Sequence, residues 1–289
     1  MHPMNTQANH PAARTLLITG CSSGIGRACA LGMRARGWRV FATARREEDI
    51  RALQDEGLEA LYLDYAEPDS IAACIDEVGR HTDGKLFALF NNGAYGQLGA
   101  VEDLSREVLR AQFEANFFGW HDLTVRALPL MRANGAGRIV QNSSVLGLVA
   151  MKWRGAYNAS KFAIEGLTDT LRLELRGSGI QVSIIEPGPI HSKFVDNALK
   201  HFQANIDVEH SRYREMYARR MARLRGEGRP NPFKLPPEAV LKKLIHALES
   251  RRPKVRYYVT FPTYLMATLR RLLPYRALDV VLSKASDDN

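Results

Sequence analysis

The chain of 289 residues is 45% apolar and 25% charged and has no repeat or low-complexity tract, as is typical of a globular protein. Its three cysteines, Cys21, Cys29 and Cys74, have no metal-binding spacing and are odd in number, which argues against a disulfide framework and favours a reducing cytoplasm. The net charge is +9, yet residues 1–195 carry 21 basic and 21 acidic side chains, so the whole excess lies in residues 196–289, which carry 19 and 10.

The N-terminal residues, 1–13, contain no apolar stretch, and we expect them to be flexible rather than a signal peptide or an anchor. Residues 14–260 alternate short apolar or β-branched runs with helical periodicity, which indicates one domain with a parallel sheet and crossover helices. The predicted strands are 15–19, 39–43, 59–63, 86–90, 138–141, 181–185 and 255–259. The predicted helices are 24–36, 47–56, 68–81, 105–133 and 155–177.

A glycine-rich turn follows the first predicted strand and opens the first predicted helix. It reads Thr-Gly-Cys-Ser-Ser-Gly-Ile-Gly over residues 19–26. Its glycines let the backbone turn tightly and approach a pyrophosphate, while the helix start offers free N–H groups and a positive dipole end. The pattern predicts a dinucleotide site, although glycine-rich turns also serve as plain helix caps. The residues assigned to this site are Gly20, Ser22, Ser23, Gly24, Ile25 and Gly26.

The residues about twenty positions after the glycine turn discriminate between NAD and NADP. Where an acidic residue would hydrogen-bond the ribose 2′-hydroxyl of NAD, this chain has Arg45 and Arg46. A guanidinium pairs bidentately with phosphate oxygens, so these arginines favour the 2′-phosphate of NADP over a plain solvated role. Asp64, at the end of the third predicted strand, is placed either to accept a hydrogen bond from the adenine amino group or to begin the next helix.

Tyr157 and Lys161 stand four residues apart in a predicted helix, so their side chains share one face, with Cβ atoms about 5–6 Å apart. A tyrosine titrates near ~10, and a nearby ammonium group lowers that pKa and makes the phenol a better acid–base catalyst. Ser144, thirteen residues before Tyr157, can hold a carbonyl or alcohol oxygen in line for proton transfer. The spacing predicts an acid catalyst, and the alternative is the solvated surface of an amphipathic helix.

Residues 193–235 break the alternation with many arginines and few apolar residues per turn, and we predict a helical flap that covers the substrate. The side chains expected beneath it are largely apolar, which suits an aliphatic or aromatic carbonyl better than a sugar or an acid. Ordinary core packing is the alternative for any one of them. The predicted substrate contacts are Ser144, Leu146, Met151, Trp153, Tyr157, Pro189 and Phe194.

Residues 261–289 form a basic, amphipathic tail whose apolar residues are interrupted by arginines and by Pro274, so we expect no membrane span. The tail fits an interfacial helix on anionic lipid, but packing on its own domain or on a symmetric partner is favoured. No nucleic-acid module accompanies the positive charge, so we expect no nucleic-acid partner. We predict a cytoplasmic homo-oligomer, with peripheral contact to the inner face of a membrane as the alternative use of the tail.

Several separated motifs, in their order along residues 14–195, resemble the short-chain dehydrogenase/reductase family. They are the glycine turn, Asn91-Asn92, Asn116, Ser144, Tyr157 with Lys161, and Pro187-Gly188-Pro189-Ile190. Within that family the chain is similar to NADP-dependent aldehyde or ketone reductases and to hydroxysteroid and retinol dehydrogenases. The resemblance implies an α/β, Rossmann-like, doubly wound and mostly parallel seven-stranded sheet with helices on both faces. It also implies oxidoreductase chemistry with NADP(H).

The resemblance further implies a role for each matching residue. Tyr157 matches the general acid or base, Lys161 the group that holds the nicotinamide ribose and lowers the phenol pKa, and Ser144 the donor that orients the substrate oxygen. Asn116 matches the anchor of a water molecule that links Lys161 to solvent. The matching cofactor contacts are Asn92, Gly93, Pro187, Gly188, Ile190 and Ser192, the last at a position where the family often has threonine.

One departure from the family pattern lies in residues 91–94, where the family usually has Asn-Asn-Ala-Gly and this chain has Asn-Asn-Gly-Ala. Both small residues permit close approach to the cofactor ribose. If the fourth position needs a positive φ, Ala94 would be strained there, since glycine alone adopts that conformation freely. The exchange puts the loop geometry in question rather than the chemistry.

These observations predict an NADP-dependent oxidoreductase that transfers a hydride between nicotinamide and an apolar aldehyde, ketone, retinoid or steroid, working mainly as a carbonyl reductase. The alternative is a non-catalytic NADP-binding regulatory module that holds a partner through its basic C-terminal region. The set of Asn116, Ser144, Tyr157 and Lys161 argues against the alternative, because binding alone needs neither a phenol nor a serine there. No metal site is expected.

Overall fold

The predicted strands form one sheet in the computed structural model, which describes residues 14–222 and 232–288. In chain order they are β1 (Thr15–Ile18), β2 (Arg39–Ala44), β3 (Glu59–Tyr62), β4 (Ala88–Asn91), β5 (Gly137–Asn142), β6 (Ile180–Glu186) and β7 (Arg256–Tyr258). Every neighbouring pair is parallel, and the order across the sheet is β3-β2-β1-β4-β5-β6-β7. This is the predicted doubly wound, Rossmann-like fold.

Helices cover both faces of the sheet and connect its strands. Those in the described residues are α1 (Gly24–Ala35), α2 (Glu47–Asp55), α3 (Pro68–His81), α4 (Arg106–Phe113), α5 (Gly119–Ala133), α6 (Gly155–Glu174), α7 (Phe194–Asn205), α8 (Arg214–Ala222), α9 (Glu238–Glu249), α10 (Phe261–Leu272) and α11 (Tyr275–Asp288). One core lies between the sheet and α1 with α9, and the other lies under α3, α5 and α6.

Alternate residues of the central strands point to opposite faces of the sheet. Leu16 and Ile18 belong to the core under α1 and α9, whereas Leu17 belongs to the core on the other face. Because both faces are covered, β1 is an uninterrupted apolar run in the sequence. The cysteines are core residues, and burial raises the pKa of the Cys21 and Cys74 thiols to about 12.

The strand order reverses between β1 and β4, and in such sheets ligands bind outside the carboxyl ends of the strands at the reversal. The turn after β1 and the loop after β4 meet at this point. The Asn92 side-chain amide donates to Thr19 O at 2.9 Å, and the Asn92 backbone N–H donates to Thr19 Oγ1 at 2.9 Å. The fold therefore brings two of the predicted cofactor segments together.

The single helix predicted over 105–133 is divided in the structure. α4 ends at Phe113, a π-helical turn spans Glu114–Phe118, and α5 begins at Gly119. A π-turn inserts one residue into the helical repeat while the apolar periodicity continues, so the sequence pattern does not reveal it. Asn116 lies in this turn and is fully buried.

The predicted flap and tail are largely helical. α7 and α8 lie in the flap, whereas its segment 223–231 and the predicted flexible N-terminus, 1–13, lie outside the described residues. α10 and α11 form the tail, and α10 packs on the domain through Thr263 and Ala267. Within the described ranges, no helix combines the length and apolarity that crossing a bilayer requires.

Candidate active site

Ser144, Tyr157 and Lys161 come together at the carboxyl end of β5. Ser144 follows this strand and caps a short 3-10 turn, Val145–Gly147, by accepting a hydrogen bond from the Leu146 N–H at 3.1 Å. Tyr157 and Lys161 lie on the buried face of α6. The Ser144 side chain lies close enough to the Tyr157 phenol to lower the pKa of that phenol. The structure therefore assembles the predicted trio.

Burial controls the titration of both α6 side chains, since Tyr157 is 8% and Lys161 1% exposed. Desolvation raises the pKa of Tyr157 to about 12, against opposing effects of the Ser144 side chain and the Arg154 charge. Desolvation also lowers the pKa of Lys161 to about 7, opposed by the Glu165 carboxylate. The sequence predicts a phenol pKa lowered by Lys161, whereas in the structure the pKa is raised, because burial outweighs the lowering by Ser144 and by the Arg154 charge.

The Lys161 ammonium group is held by a carbonyl oxygen and an indole ring. Its Nζ donates to Asn142 O at 2.8 Å and lies 4.3 Å from the centroid of the Trp120 ring, whose quadrupole attracts a cation. The Tyr157 ring is 5.7 Å away. Trp120 in turn donates its indole N–H to Gly93 O at 2.8 Å. These contacts fix the ammonium beside the phenol and tie it to the loop after β4.

Asn116 uses its whole side-chain amide to hold neighbouring protein groups. Its Oδ1 accepts the Tyr95 N–H at 3.2 Å, and its Nδ2 donates to Tyr95 O at 2.9 Å and to Ser160 Oγ at 3.2 Å. The side chain therefore fixes the loop after β4 against α6, directly beside Lys161. Its implied role as the anchor of a water molecule stays a prediction.

The glycine turn has the shape that a dinucleotide phosphate requires. Gly20 and Gly24 have φ values of 67° and 56°. A Cβ at Gly26 would lie 2.2 Å from Gly20 O, and one at Gly20 would lie 2.5 Å from Gly93 Cα, so no side chain fits there. α1 begins without an acidic residue in its first turn, and the Ser23 side chain makes no capping bond within the described residues. The N–H groups at the helix start are thus suited to bind a phosphate.

The loop after β6 closes on the glycine turn from the other side. A Cβ at Gly24 would lie 2.9 Å from Ser192 Cβ. The Val145 N–H donates to Pro187 O at 2.8 Å, which ties this loop to the residue after Ser144. The remaining predicted cofactor residues of these two segments are half-buried: Ser22, Ser23, Ile25, Gly188 and Ile190.

The exchanged pair at residues 93 and 94 is accommodated without backbone strain. In the described ranges, the non-glycine residues with positive φ are Asp83 and Trp153, so Ala94 is not strained. Gly93 instead packs against the glycine turn, where a Cβ added to it would lie 3.3 Å from Gly20 N. The close contact with the glycine turn therefore involves residue 93, the third position of the motif, where this chain has glycine.

We expect two substitutions in this loop to have small effects. Gly93→Ala introduces the family's alanine with a Cβ 3.2 Å from the Tyr65 ring and 3.3 Å from Gly20 N, contacts that shifts of a few tenths of an ångström relieve, so it should change the free energy of unfolding by no more than about 1 kcal/mol. Ala94→Gly restores the family's glycine but mainly adds entropy to the unfolded chain, so it should lower that free energy by less than about 1 kcal/mol. Urea unfolding of both variants measures these effects. A stabilised Ala94→Gly variant would show that Ala94 is strained after all.

Arg45 and Asp64 stand at neighbouring strand ends. The Arg45 side chain is 65% exposed, and its Nη1 lies 3.5 Å from Asp64 Oδ2. Asp64 Oδ1 also accepts the Ala66 N–H at 3.0 Å, as expected of a residue that begins the turn into α3. Arg46 instead pairs with Asp49 of its own helix at 2.7 Å. Arg45 is therefore the better placed of the two arginines to bind an additional phosphate.

The predicted substrate contacts lie where the flap meets the phenol. Phe194, at the start of α7, contacts the Tyr157 ring edge-on with centroids 5.3 Å apart, and a Cβ at Gly96 would lie 2.8 Å from Phe194 Cζ. Trp153 packs edge-on against Tyr213 of the flap at 4.9 Å and has a φ of 66°. Such a backbone is strained for a large residue and is held by its surroundings. Of the other predicted contacts, Leu146 is buried, and Met151 and Pro189 are half-buried.

The family profile described as short chain dehydrogenase matches residues 14–202, which include the glycine turn, Ser144, Tyr157 and Lys161. The chain belongs to the short-chain dehydrogenase family. It is therefore an oxidoreductase of a family that acts on small carbonyl or alcohol substrates.

Three relatives span most of the chain. YbbO of Escherichia coli strain K12, described as an uncharacterized oxidoreductase, is 43% identical over 93% of this chain and 94% of its own. Human 17-beta-hydroxysteroid dehydrogenase type 1 is 33% identical over 86% of this chain and 78% of its own. The NADPH-dependent 3-dehydrocapnine reductase of Ornithobacterium rhinotracheale is 30% identical over 94% and 96%.

Solved structures of short-chain dehydrogenases share the fold. One from Streptomyces avermitilis superposes with a TM-score of 0.75 at 28% identity and covers 96% of this chain and 98% of its own. Another, from Burkholderia phymatum in complex with NAD, has a TM-score of 0.73 at 26% identity and covers 93% and 95%. A nicotinamide dinucleotide thus occupies a structural neighbour, and the glycine turn of this chain fits such a group.

Short-chain dehydrogenase motifs do not identify three side chains that surround Lys161. Trp120 contacts the ammonium, Glu165 supports its charge, and Arg256 hydrogen-bonds Glu165. Glu165 continues the four-residue spacing of Tyr157 and Lys161 along α6, so the sequence carries a signal for it. Trp120 and Arg256 reach the site from distant elements, and no local pattern marks them.

Proposed function

We propose that the protein is an NADP(H)-dependent reductase of apolar aldehydes and ketones. The observation that carries this proposal is the buried Tyr157 phenol, whose pKa the Ser144 side chain lowers and whose ring lies 5.7 Å from the Lys161 ammonium. A carbonyl oxygen that accepts hydrogen bonds from both hydroxyls would be protonated by Tyr157, while Ser144 stabilises the charge that develops on it. The nicotinamide, when bound, supplies the hydride.

The raised pKa of Tyr157 supports reduction as the working direction. A phenol with a pKa of about 12 is protonated at neutral pH and ready to donate, whereas alcohol oxidation needs the phenolate. We expect the oxidation rate to rise about tenfold per pH unit between neutral pH and about pH 10, while the reduction rate does not rise. Steady-state rates in both directions across this range test it. An oxidation rate that is level above neutral pH would contradict a high phenol pKa.

Arg45 supports NADP as the cofactor. Its exposed guanidinium has only a 3.5 Å contact with Asp64 among the described acidic side chains, so it is available to a 2′-phosphate. One relative is NADPH-dependent by name and one structural neighbour is in complex with NAD, so the choice rests on this arginine. Asp64 is then left to the adenine amino group, as proposed from the sequence.

Arg45→Ala should raise the KM for NADPH about 10- to 100-fold and leave the KM for NADH nearly unchanged. The reason is the loss of charge-assisted hydrogen bonds to phosphate, which contribute about 1.5–3 kcal/mol. Arg46→Ala is the matched control, with less than about a threefold effect expected, because Arg46 is paired with Asp49. Equal losses with both cofactors, or a larger loss in the Arg46 variant, would contradict the assignment.

The apolar substrate class is supported by the contact of Phe194 with the phenol and by the nearby Leu146 and Trp153. A relative named for a hydroxysteroid agrees with it. Purified protein with NADPH should reduce members of a panel of long-chain aldehydes, retinal and ketosteroids more efficiently than sugar aldehydes, as followed by the absorbance of reduced nicotinamide. Cofactor binding without turnover on any compound would favour the regulatory module instead.

A further inference from the structure

Helix α10 carries a row of exposed apolar side chains, two of which also contact aromatic rings of the protein: Phe261 stacks on Phe233 at 5.4 Å between centroids, and Tyr264 packs edge-on against Tyr258 at 5.3 Å. Phe261, Tyr264, Leu265 and Leu272 are 59%, 48%, 38% and 73% exposed. Their offsets of three, four and eleven residues from Phe261 place them on one side of the helix. Tyr275, the first residue of α11, extends the row and is 86% exposed. These five residues are called the outer row below.

The opposite side of α10 holds the helix on the domain. Thr263 and Ala267 are buried there. Arg270 donates a hydrogen bond to Leu148 O and lies over the Phe162 ring, 5.2 Å from its centroid. A firmly seated helix therefore turns an apolar side to solvent, and contiguous exposed apolar surface of this kind marks interaction sites.

The sequence around the outer row is uniformly basic. Residues 250–278 contain seven Lys and Arg side chains and no Asp or Glu. Two of the seven, Arg256 and Arg270, bond groups within the domain. The other five are exposed and form no ion pair in the part of the chain that the structure describes: Arg251, Arg252, Lys254, Arg271 and Arg276. Arg271 precedes Leu272 and Arg276 follows Tyr275, so cations border the outer row.

We propose that the outer row and its bordering cations dock on the surface of an anionic lipid bilayer. The aromatic and leucine side chains enter the boundary between headgroups and acyl chains, while Arg271 and Arg276 meet the anionic headgroups. A second copy of the chain is the competing occupant. A two-fold contact through this face would set the same cations against each other, with Asp279, three residues after Arg276, as the nearest acidic residue along the chain, so the charge favours lipid.

The same helices border the segment between Ser144 and Tyr157. α10 reaches Leu148 through Arg270, and near the end of α11 the Ser286 hydroxyl accepts a hydrogen bond from the Lys152 N–H at 3.1 Å. An apolar substrate dissolved in the bilayer would therefore meet the protein beside its active site. This last step rests on the proposed function, whereas the lipid contact does not.

Flotation of the purified full-length protein with vesicles tests the contact without any enzyme assay. We expect the protein to float with vesicles of phosphatidylcholine mixed with phosphatidylglycerol at low salt, and to float less when salt screens the charges. It should stay in the load fraction with phosphatidylcholine alone. Failure to float with anionic vesicles overturns the lipid proposal and leaves the proposed reductase activity untouched.

Substitutions locate the contact. Phe261→Ser/Leu272→Ser should weaken vesicle binding at least about tenfold, because two of the most exposed apolar side chains of the outer row are lost. The matched control is Val101→Ser/Leu173→Ser, which removes side chains of similar exposure, 73% and 64%, from other surfaces. It should bind vesicles as the wild type does. Thermal unfolding of each variant checks that the fold is intact.

A charge reversal separates lipid from the competing occupant. Arg271→Glu/Arg276→Glu should abolish the preference for anionic vesicles while leaving the thermal unfolding unchanged. The proposal is overturned if Arg271→Glu/Arg276→Glu binds anionic vesicles as well as the wild type does. It is also overturned if Phe261→Ser/Leu272→Ser binds them as well as the control Val101→Ser/Leu173→Ser does. A third outcome also overturns it: the wild type is a dimer in sedimentation equilibrium and binds no vesicles, and Phe261→Ser/Leu272→Ser makes it a monomer. The outer row is then a contact between two copies of the chain.

Discussion

Tyr157→Phe should reduce the rate of carbonyl reduction by about 10²- to 10⁴-fold, the usual contribution of a positioned general acid. The ring that remains still packs on Phe194, so the flap keeps its contact with α6. Loss of one hydroxyl next to Ser144 should change the free energy of unfolding by no more than about 1 kcal/mol. Single-turnover rates with saturating NADPH isolate the chemical step, and NADPH titration should show nearly unchanged binding.

Tyr62→Phe is the matched control for this substitution. Its phenol is exposed on the edge strand β3 and hydrogen-bonds Glu67 at 2.8 Å, so it is near Arg45 and Asp64, but three strands separate it from β5 and the Ser144 region. The control should reduce carbonyls at the wild-type rate. If Tyr157→Phe keeps more than about a tenth of that rate, another group donates the proton, because loss of a true general acid costs more.

The fold was predictable because a sheet covered on both faces leaves a simple pattern in the sequence. Leu16, Leu17 and Ile18 are all fully buried, so β1 appears as a continuous apolar run followed by the glycine turn. The division of the 105–133 helix was not predictable in the same way. A π-turn changes the hydrogen bonding around Asn116 without changing which side chains are apolar.

The candidate site was predictable as a set of residues but not as an electrostatic environment. A spacing of four residues places Tyr157 and Lys161 on one helix face whatever surrounds them. Their pKa values depend instead on how completely the flap, β5 and Trp120 exclude water, which local sequence does not encode. Ala94 is a similar case: its φ is not positive, and the motif alone does not reveal this.

Arg256→Leu should lower the free energy of unfolding at neutral pH by about 3 kcal/mol, the usual result of removing one partner from a buried ion pair. Arg256 sits at the start of β7 and hydrogen-bonds the carboxylates of Glu165, Glu186 and, at 2.6 Å, Asp169. Glu186 is 0% exposed and immediately precedes the Pro187 loop. Without the guanidinium, the buried carboxyl groups of Glu165 and Glu186 would lose their compensating charge.

The loss should depend on pH in a direction that the titration of Glu186 sets. Burial and then the Glu165 charge raise the pKa of Glu186 above its ordinary value, and the Arg256 guanidinium opposes that rise. Removing Arg256 therefore raises this pKa further. The unfolded chain titrates alike in both proteins, so the stability difference changes with pH only where the two folded states differ in the protonation of Glu186. With Arg256 present the pKa of Glu186 is about 8, so both folded proteins keep this proton at acidic and neutral pH. Above about pH 8 the wild type releases the proton while the folded variant retains it, and the difference in stability grows.

Two further variants decide whether charge or packing causes the loss. Arg256→Leu combined with Glu186→Gln should lack the additional loss above about pH 8, because the group whose titration causes that loss is gone. Arg172→Leu, which breaks a partly exposed pair with Asp169 at 3.1 Å, should cost less than about 1 kcal/mol at any pH. Urea unfolding between neutral pH and about pH 10 measures all of them. The loss of stability in Arg256→Leu could instead be constant with pH and unchanged by Glu186→Gln. That result would assign the loss to side-chain packing, because a buried carboxyl group without its partner must make stability depend on its own protonation.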